Sequence, residues 1–242
     1  IPYVVFRLFG GIPLLMYENG EIDVATLFGD GIQRAADPKD PLSDQALVNR
    51  ELGIFYTGFA SDLPPFDDPL VRRAFLLAVD RKKLVQDLFE SSVEVAHGFL
   101  PPGLPGYDPS ISSIPFDVEE AKRLLAESSY GGPLGLPPIV YTTSGFTSPS
   151  DIVVTLLGMW RENLGVAVEV RLKDPSLYYY LLDLSVDNIF DYGWIADYPD
   201  PHNFLDVLFH STSRNNIGSY KNSEVDALLE TARIEIDPQR RL

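Results

Sequence analysis

The chain has 242 residues, enough for one large domain or two small ones, and its 45% hydrophobic and 22% charged residues are typical of a globular protein. Nineteen Lys and Arg against 35 Asp and Glu give a formal net charge of −16, a field that repels phosphate backbones and excludes general nucleic-acid binding. Cysteine is absent, which excludes disulfides, thiolate metal sites and cysteine nucleophiles.

The first sixty residues alternate between strand and helix signals. Residues 1–9 are mostly apolar and predict a strand. Pro13 begins a short helix and Gly20 ends it, because proline suits the first turn of a helix and glycine the left-handed position after the last. The apolar runs 22–28 and 51–59 predict two more strands.

Three helices with capping signals follow. Asp68 precedes Pro69, which is the pattern of an N-cap followed by proline at the first helical position. Asp80 begins the second helix. Asp117 and Glu120 have the spacing of a capping box and begin the third.

Strand and helix signals continue to alternate toward the C-terminus. The predicted strands share β-branched or alternating apolar residues: 139–143, 167–172 and 189–194. The predicted helices each have a polar residue at the start: one after Ser150 that ends at Gly165, one over 175–184 after Asp174, and one that begins at Ser223. Helices placed between strands predict an α/β fold with a mixed or mainly parallel sheet.

The segment 174–213 has an unusual composition, with seven Asp, nine aromatic residues and neither Lys nor Arg. Carboxylates beside aromatic rings suit a ligand that has an ammonium group and apolar parts, through ion pairing and cation–π contact. The alternative is that the aspartates cap helices and turns while the aromatic rings fill the core. Both interpretations stay open at this point.

A metal site is a further alternative in the same segment. His202, Asp206 and His210 are four residues apart, so on a helix they share one face. An enzyme, such as a hydrolase acting on an amine- or sugar-bearing substrate, also stays open. No nucleophile signature supports it, since the serine-rich loop 142–150 lacks the G-x-S-x-G pattern.

Five segments occur in an order and at distances that resemble one known family. They are PPFDDPLVRRAFLLAVDRKKLV (64–85), FDVEEAKRLLAESSYGG (116–132), WRENLGVAVEV (160–170), YGWIADYPDPHNFLDVLF (192–209) and NNIGSYKNSEVDALLETA (215–232). Together they resemble the peptide/nickel-type (family 5) extracellular solute-binding proteins, the substrate receptors of ATP-binding-cassette (ABC) importers.

The resemblance implies a mixed-sheet α/β lobe of a type II periplasmic-binding-protein fold. It implies that residues 1–242 form a single lobe, the second of a longer two-lobe receptor whose N-terminal lobe lies elsewhere in the same chain. It also implies a peptide-like or other small solute as ligand, ABC permease subunits as partners and an extracytoplasmic location. Neither catalysis nor a cofactor is expected.

The resemblance also implies which residues meet the ligand. In peptide-binding members the Asp of the W-x-A-D-Y motif meets the α-ammonium group, and that position is Asp197. Trp194, Tyr198 and Tyr192 are expected to supply aromatic surface around it. Asp191 is included because it stands where some oligopeptide binders have an arginine, so a ligand carboxylate loses one partner. A nickel-type cargo bound by His202 and His210 stays an alternative.

Overall fold

The computed structural model describes residues 3–7, 11–27, 29–89 and 93–242. Tertiary contacts divide the chain into two units, residues 1–50 and residues 51–242. That residues 1–242 form one lobe of a longer receptor therefore stays a prediction. None of the helices in the described ranges is long and apolar enough to cross a membrane.

The first unit contains two short helices, α1 (Pro13–Glu18) and α2 (Asp30–Ala36). Pro13 at the start of α1 and the left-handed Gly20 after its end confirm the predicted helix. Helix α2 was not predicted, because the sequence around it is polar and has no capping residue before it.

The two strands predicted in the first unit are wrong for the residues that the structure describes. Residues 3–7 and 22–27 have no strand partner. Tyr3 and Val24 are exposed, at 76% and 85%, whereas Ile22 and Leu27 are half-buried. Apolar residues form a strand only where a neighbouring strand pairs with the backbone and a core covers one face. Positions 1, 2, 8, 9 and 28 of those predictions lie outside the described residues.

The second unit alternates strands and helices over the described part of residues 51–242. In chain order its elements are β1 (Gly53–Phe59), α3 (Pro69–Leu77), α4 (Arg81–Phe89), α5 (Val118–Glu127), a single 3-10 turn (Pro133–Gly135), β2 (Val140–Ser144), α6 (Asp151–Leu164), β3 (Glu169–Lys173), α7 (Tyr178–Leu184), β4 (Ile189–Ile195), α8 (His202–Phe209), α9 (Ser223–Ile234) and α10 (Pro238–Arg241). Each strand and helix predicted in this unit is present.

The predicted starts of α3 and α5 are confirmed by capping hydrogen bonds. The Asp68 side chain accepts from the Leu70 amide, and the Asp117 side chain accepts from the Glu120 amide. Ser150 precedes α6 but makes no side-chain cap bond.

Helix α7 begins later than predicted. Its first residue is Tyr178 rather than Pro175. The Asp174 carboxylate accepts from the amide and hydroxyl of Ser176, and this local turn occupies the residues where the helix was expected to begin.

The four strands form one mixed sheet in the order β1-β4-β2-β3, which confirms the predicted fold class. β2 is parallel to both β3 and β4, whereas β1 is antiparallel to β4. Helices α3 to α6 contribute to the main core on one face, where Phe75, Tyr141 and Trp160 are almost completely buried. Helices α7 and α8 contribute to a second core on the opposite face, together with Phe190 and Tyr192 of β4.

Candidate ligand-binding site

The last residues of β4 present aromatic side chains on the α7–α8 face of the sheet. Tyr192 and Trp194 are two residues apart, so they point to the same side, and their rings stack with centroids 6.4 Å apart and an angle of 13°. Tyr192 also packs against Tyr56 of β1 at 5.9 Å. Two of the predicted site residues therefore stack on each other, with Tyr192 buried in the second core and Trp194 half-buried.

The loop between β4 and α8 carries the other two predicted ligand contacts. Asp197 and Tyr198 are both exposed. The Tyr198 hydroxyl lies 2.6 Å from Nδ1 of His202, and the two rings are nearly parallel. This loop therefore presents a carboxylate and an aromatic ring to solvent, directly after the stacked rings of Tyr192 and Trp194.

A buried amide connects this loop to the strand. Asn203 in α8 is only 1% exposed. Its Oδ1 accepts from the indole Nε1 of Trp194 at 3.1 Å and from the backbone amide of Asp197 at 3.0 Å. Its Nδ2 donates to Oδ2 of Asp197 at 3.3 Å. Trp194 and Asp197, both predicted ligand contacts, are therefore joined through Asn203, which was not among the predicted site residues.

Asp191 lies on the other face of the sheet, so the structure does not bring it together with Tyr192 and Trp194. Its carboxylate accepts hydrogen bonds from the hydroxyls of Tyr141 and Thr143, the latter at 2.6 Å. Burial raises the pKa of Asp191, and the hydrogen bonds from these hydroxyls offset the rise only in part. This aspartate belongs to a polar cluster beside the main core.

The histidines of the possible metal site point to different partners. Nε2 of His202 lies 3.9 Å from Oδ2 of Asp206, whereas the buried His210 directs Nε2 toward Glu230 at 3.4 Å. Asp206 is only 6% exposed and accepts two hydrogen bonds from Arg233, at 2.6 and 2.7 Å. Within the described ranges no group of three His, Asp or Glu side chains is placed to hold a metal ion.

Arginines from outside the segment 174–213 neutralise part of its acidic charge. Asp206 pairs with Arg233, and Asp200 accepts two hydrogen bonds from Arg241 in α10. A third aspartate of the segment, Asp187, pairs with Arg171 of β3. The sequence showed a segment without basic residues, but the fold brings in cations that are distant along the chain. Asp197 has no cation partner in the described part of the chain.

The fold around this site is that of the type II periplasmic binding proteins. The murein tripeptide binding protein MppA of Escherichia coli superposes with a TM-score of 0.77 at 25% identity, over 94% of this chain and 45% of that chain. The Haemophilus influenzae OppA complex with the peptide RPPGFSPFR superposes with a TM-score of 0.74 over 95% of this chain and 46% of that one. At 22% identity, this second comparison shows the fold alone.

The sequence model of the bacterial extracellular solute-binding proteins, family 5 (middle region), matches residues 4–216, and the chain belongs to this family. The periplasmic oligopeptide-binding protein OppA of Salmonella typhimurium is 30% identical over 234 residues, which cover 93% of this chain and 42% of that protein. The heme-binding protein A of Haemophilus influenzae is 30% identical over 204 residues, 81% of this chain and 36% of that protein. The chain thus spans less than half the length of these relatives.

Proposed function

We propose that the chain is part of the substrate-binding component of an ABC importer, which captures a peptide-like or other small solute without chemical change. Membership of the solute-binding family supports the receptor role. Relatives named for oligopeptides and for a murein tripeptide support a peptide-like ligand. A relative named for heme supports other small solutes as an alternative class of ligand.

The observation that carries the proposal is the environment of Asp197. Its carboxylate is exposed, it is held by the Asn203 amide, and it lies on the loop that follows the stacked rings of Tyr192 and Trp194. A carboxylate without a cation partner attracts an ammonium group, and aromatic faces attract both cations and apolar groups. Asp197 is the proposed partner of the ligand's ammonium group, with Trp194, Tyr198 and Tyr192 as its aromatic surroundings.

Closure of two lobes over the ligand is the proposed capture mechanism. The chain covers 36% and 42% of the two curated relatives, which leaves room in a complete receptor for a second lobe. When two lobes close, water leaves the site, and an ion pair between Asp197 and an ammonium group becomes stronger in the lower dielectric.

The central experiment measures binding of two probe peptides by the full-length receptor. Calorimetry with Ala-Ala-Ala and with its N-acetylated form compares a ligand that has an ammonium group with one that lacks it. We expect Asp197→Asn to weaken binding of Ala-Ala-Ala by about 2–4 kcal/mol, because a buried cation is left without its partner. Binding of the acetylated peptide should not change.

The matched control is Asp151→Asn, which removes the same charge from the exposed first turn of α6 and should alter neither affinity. Equal losses for both peptides, or none for either, would contradict the role of Asp197. A receptor that binds neither peptide would contradict a peptide-like ligand.

Two further expectations follow from the receptor role. The receptor should lie outside the cytoplasm and stimulate ATP hydrolysis by its reconstituted permease complex when ligand is added. Chromatography of the released ligand should return it unchanged, whereas a hydrolase would release products. A chemically altered ligand would favour the enzyme alternative.

A further inference from the structure

We propose that Asn203 is a positioning residue of the ligand-binding site, which holds Asp197 and Trp194 in the arrangement that receives the ligand's ammonium group. The inference rests on the proposed function of Asp197, and it adds a residue of α8 that touches the two site residues rather than the ligand. Three hydrogen bonds from one buried side chain carry it.

The orientation of the Asn203 amide follows from its partners. Its oxygen has two lone pairs, and two N–H donors, the Trp194 indole and the Asp197 backbone amide, occupy them. With the amide turned over, its NH₂ group would face these two donors and both bonds would be lost. The NH₂ group is therefore directed to the Asp197 carboxylate, where it donates to Oδ2.

This contact leaves Asp197 ordered but still available. An exposed aspartate samples several rotamers, and binding a ligand requires that one of them be selected. The bond from Asn203 selects one before the ligand arrives. Among the described residues, Oδ1 of Asp197 has no hydrogen-bond partner, so this oxygen is free to accept from an ammonium group.

Trp194 is held at two points as well. Its ring stacks on Tyr192, and its Nε1 is bonded to Asn203. The amide therefore sets the carboxylate and the indole relative to each other, across the end of β4 and the start of α8. A purely structural amide would stabilise this turn without favouring any class of ligand.

The experiment uses the ratio of two affinities in the full-length receptor, that for Ala-Ala-Ala divided by that for N-acetyl-Ala-Ala-Ala. A structural defect lowers both affinities by one factor and leaves their ratio unchanged. Loss of the Asp197 arrangement lowers mainly the affinity for the free amine. We expect Asn203→Ala to reduce the ratio by about tenfold. If this variant does not fold, Asn203→Ser is measured in its place.

Asn188→Ala is the matched control. Asn188 also uses both ends of its amide, accepting from the Val140 backbone and donating to the Pro64 carbonyl, and it lies outside the site. Its loss should lower the melting temperature and leave the affinity ratio within about twofold of the wild-type value.

The background variant Asp197→Asn separates this inference from the proposed function. One outcome is that Asp197→Asn abolishes the preference for the free amine while Asn203→Ala leaves the affinity ratio at the wild-type value. In that case the positioning role of Asn203 is wrong and the proposed function stands. If Asp197→Asn leaves the preference, or the wild-type receptor binds neither peptide, both are overturned. If the roles of Asp197 and Asn203 are both as proposed, adding Asn203→Ala to the Asp197→Asn variant should change the affinity ratio by less than about twofold.

Discussion

The hydroxyl of Tyr178 hydrogen-bonds both backbone groups of Asp191: it donates to the carbonyl at 2.8 Å and accepts from the amide at 3.0 Å. It also lies 3.1 Å from the carbonyl of Thr142. The register between β2 and β4 ends one residue earlier, at the pair of Thr142 and Phe190. The Tyr178 hydroxyl of α7 thus contacts the backbones of both central strands, directly beyond the last residue pair between them.

Removal of this hydroxyl should destabilise the fold. Tyr178→Phe keeps the ring but leaves the Asp191 amide without its partner, so we expect a loss of about 1–3 kcal/mol in the free energy of unfolding. Urea denaturation measures it. Tyr179→Phe is the control, because Tyr179 is 54% exposed, and its effect should stay within about 0.5 kcal/mol. Equal effects would contradict a bridging role for the Tyr178 hydroxyl.

Asp191 should lower the stability of the fold as the pH rises, whereas most carboxylates in folded proteins lose their stabilising contribution in acid. Burial raises its pKa, so the folded protein binds this proton more tightly than the unfolded chain does. Its contribution to stability is complete below the unfolded pKa and is lost as the pH rises through the raised folded value. The melting temperature of Asp191→Asn, relative to wild type, should therefore increase between about pH 4 and pH 7.

The control for this trend is Asp174→Asn. Hydrogen bonds from Ser176 lower the pKa of Asp174, so its contribution is present above the unfolded pKa and is lost in acid. The difference in melting temperature between Asp174→Asn and wild type should therefore change with the opposite sign and mainly below about pH 4, and it should stay nearly constant between about pH 4 and pH 7. A difference for Asp191→Asn that does not increase between about pH 4 and pH 7 would contradict a raised pKa of Asp191.

The ion pair between Asp206 and Arg233 should contribute to stability at neutral pH. Burial tends to raise the pKa of Asp206, but the hydrogen bonds and charge of Arg233 lower it overall. Arg233→Met removes two hydrogen bonds from a buried carboxylate, so we expect a lower free energy of unfolding, with a modest loss because the arginine itself is 41% exposed. The loss should shrink as the pH falls through the lowered pKa of Asp206. In contrast, Arg240→Met removes an exposed arginine and should have almost no effect.

Replacement by alanine should have opposite effects on stability at Gly58 and Gly158. An alanine at Gly58 in β1 would place its Cβ 2.6 Å from Cε2 of Phe190, and we expect a loss of about 1–3 kcal/mol. Gly158 lies in the exposed middle of α6 with no atom near the added Cβ, so Gly158→Ala should stabilise by about 0.5–1 kcal/mol. Thermal unfolding of both variants measures the pair, and a stabilised Gly58→Ala would contradict the observed packing of Phe190.

Features that depend on a few neighbouring residues could be predicted from the sequence. Asp68 and Asp117 cap their helices as expected, because a cap acts over two or three positions. The strand predicted at 22–28 is wrong over the described residues 22–27, because pairing depends on partners that the local sequence does not specify. The Arg233 partner of Asp206 and the Asn203 partner of Asp197 were missed for a related reason, since each pair forms only once α8 is packed in place.

The pairing of β1 with β4 determines the order in which the sheet can be assembled. Residue 59 pairs with residue 189, so β1 leaves the ribosome long before its partner exists. In the finished sheet β1 and β2 flank β4 and lie two strand spacings apart, roughly 10 Å, too far to bond directly. Of the four strands in the described part of the chain, the last to be synthesised is therefore an inner one. Until β4 is inserted β1 cannot join the sheet that contains β2 and β3, and we expect this long-range pairing to slow the folding of the unit.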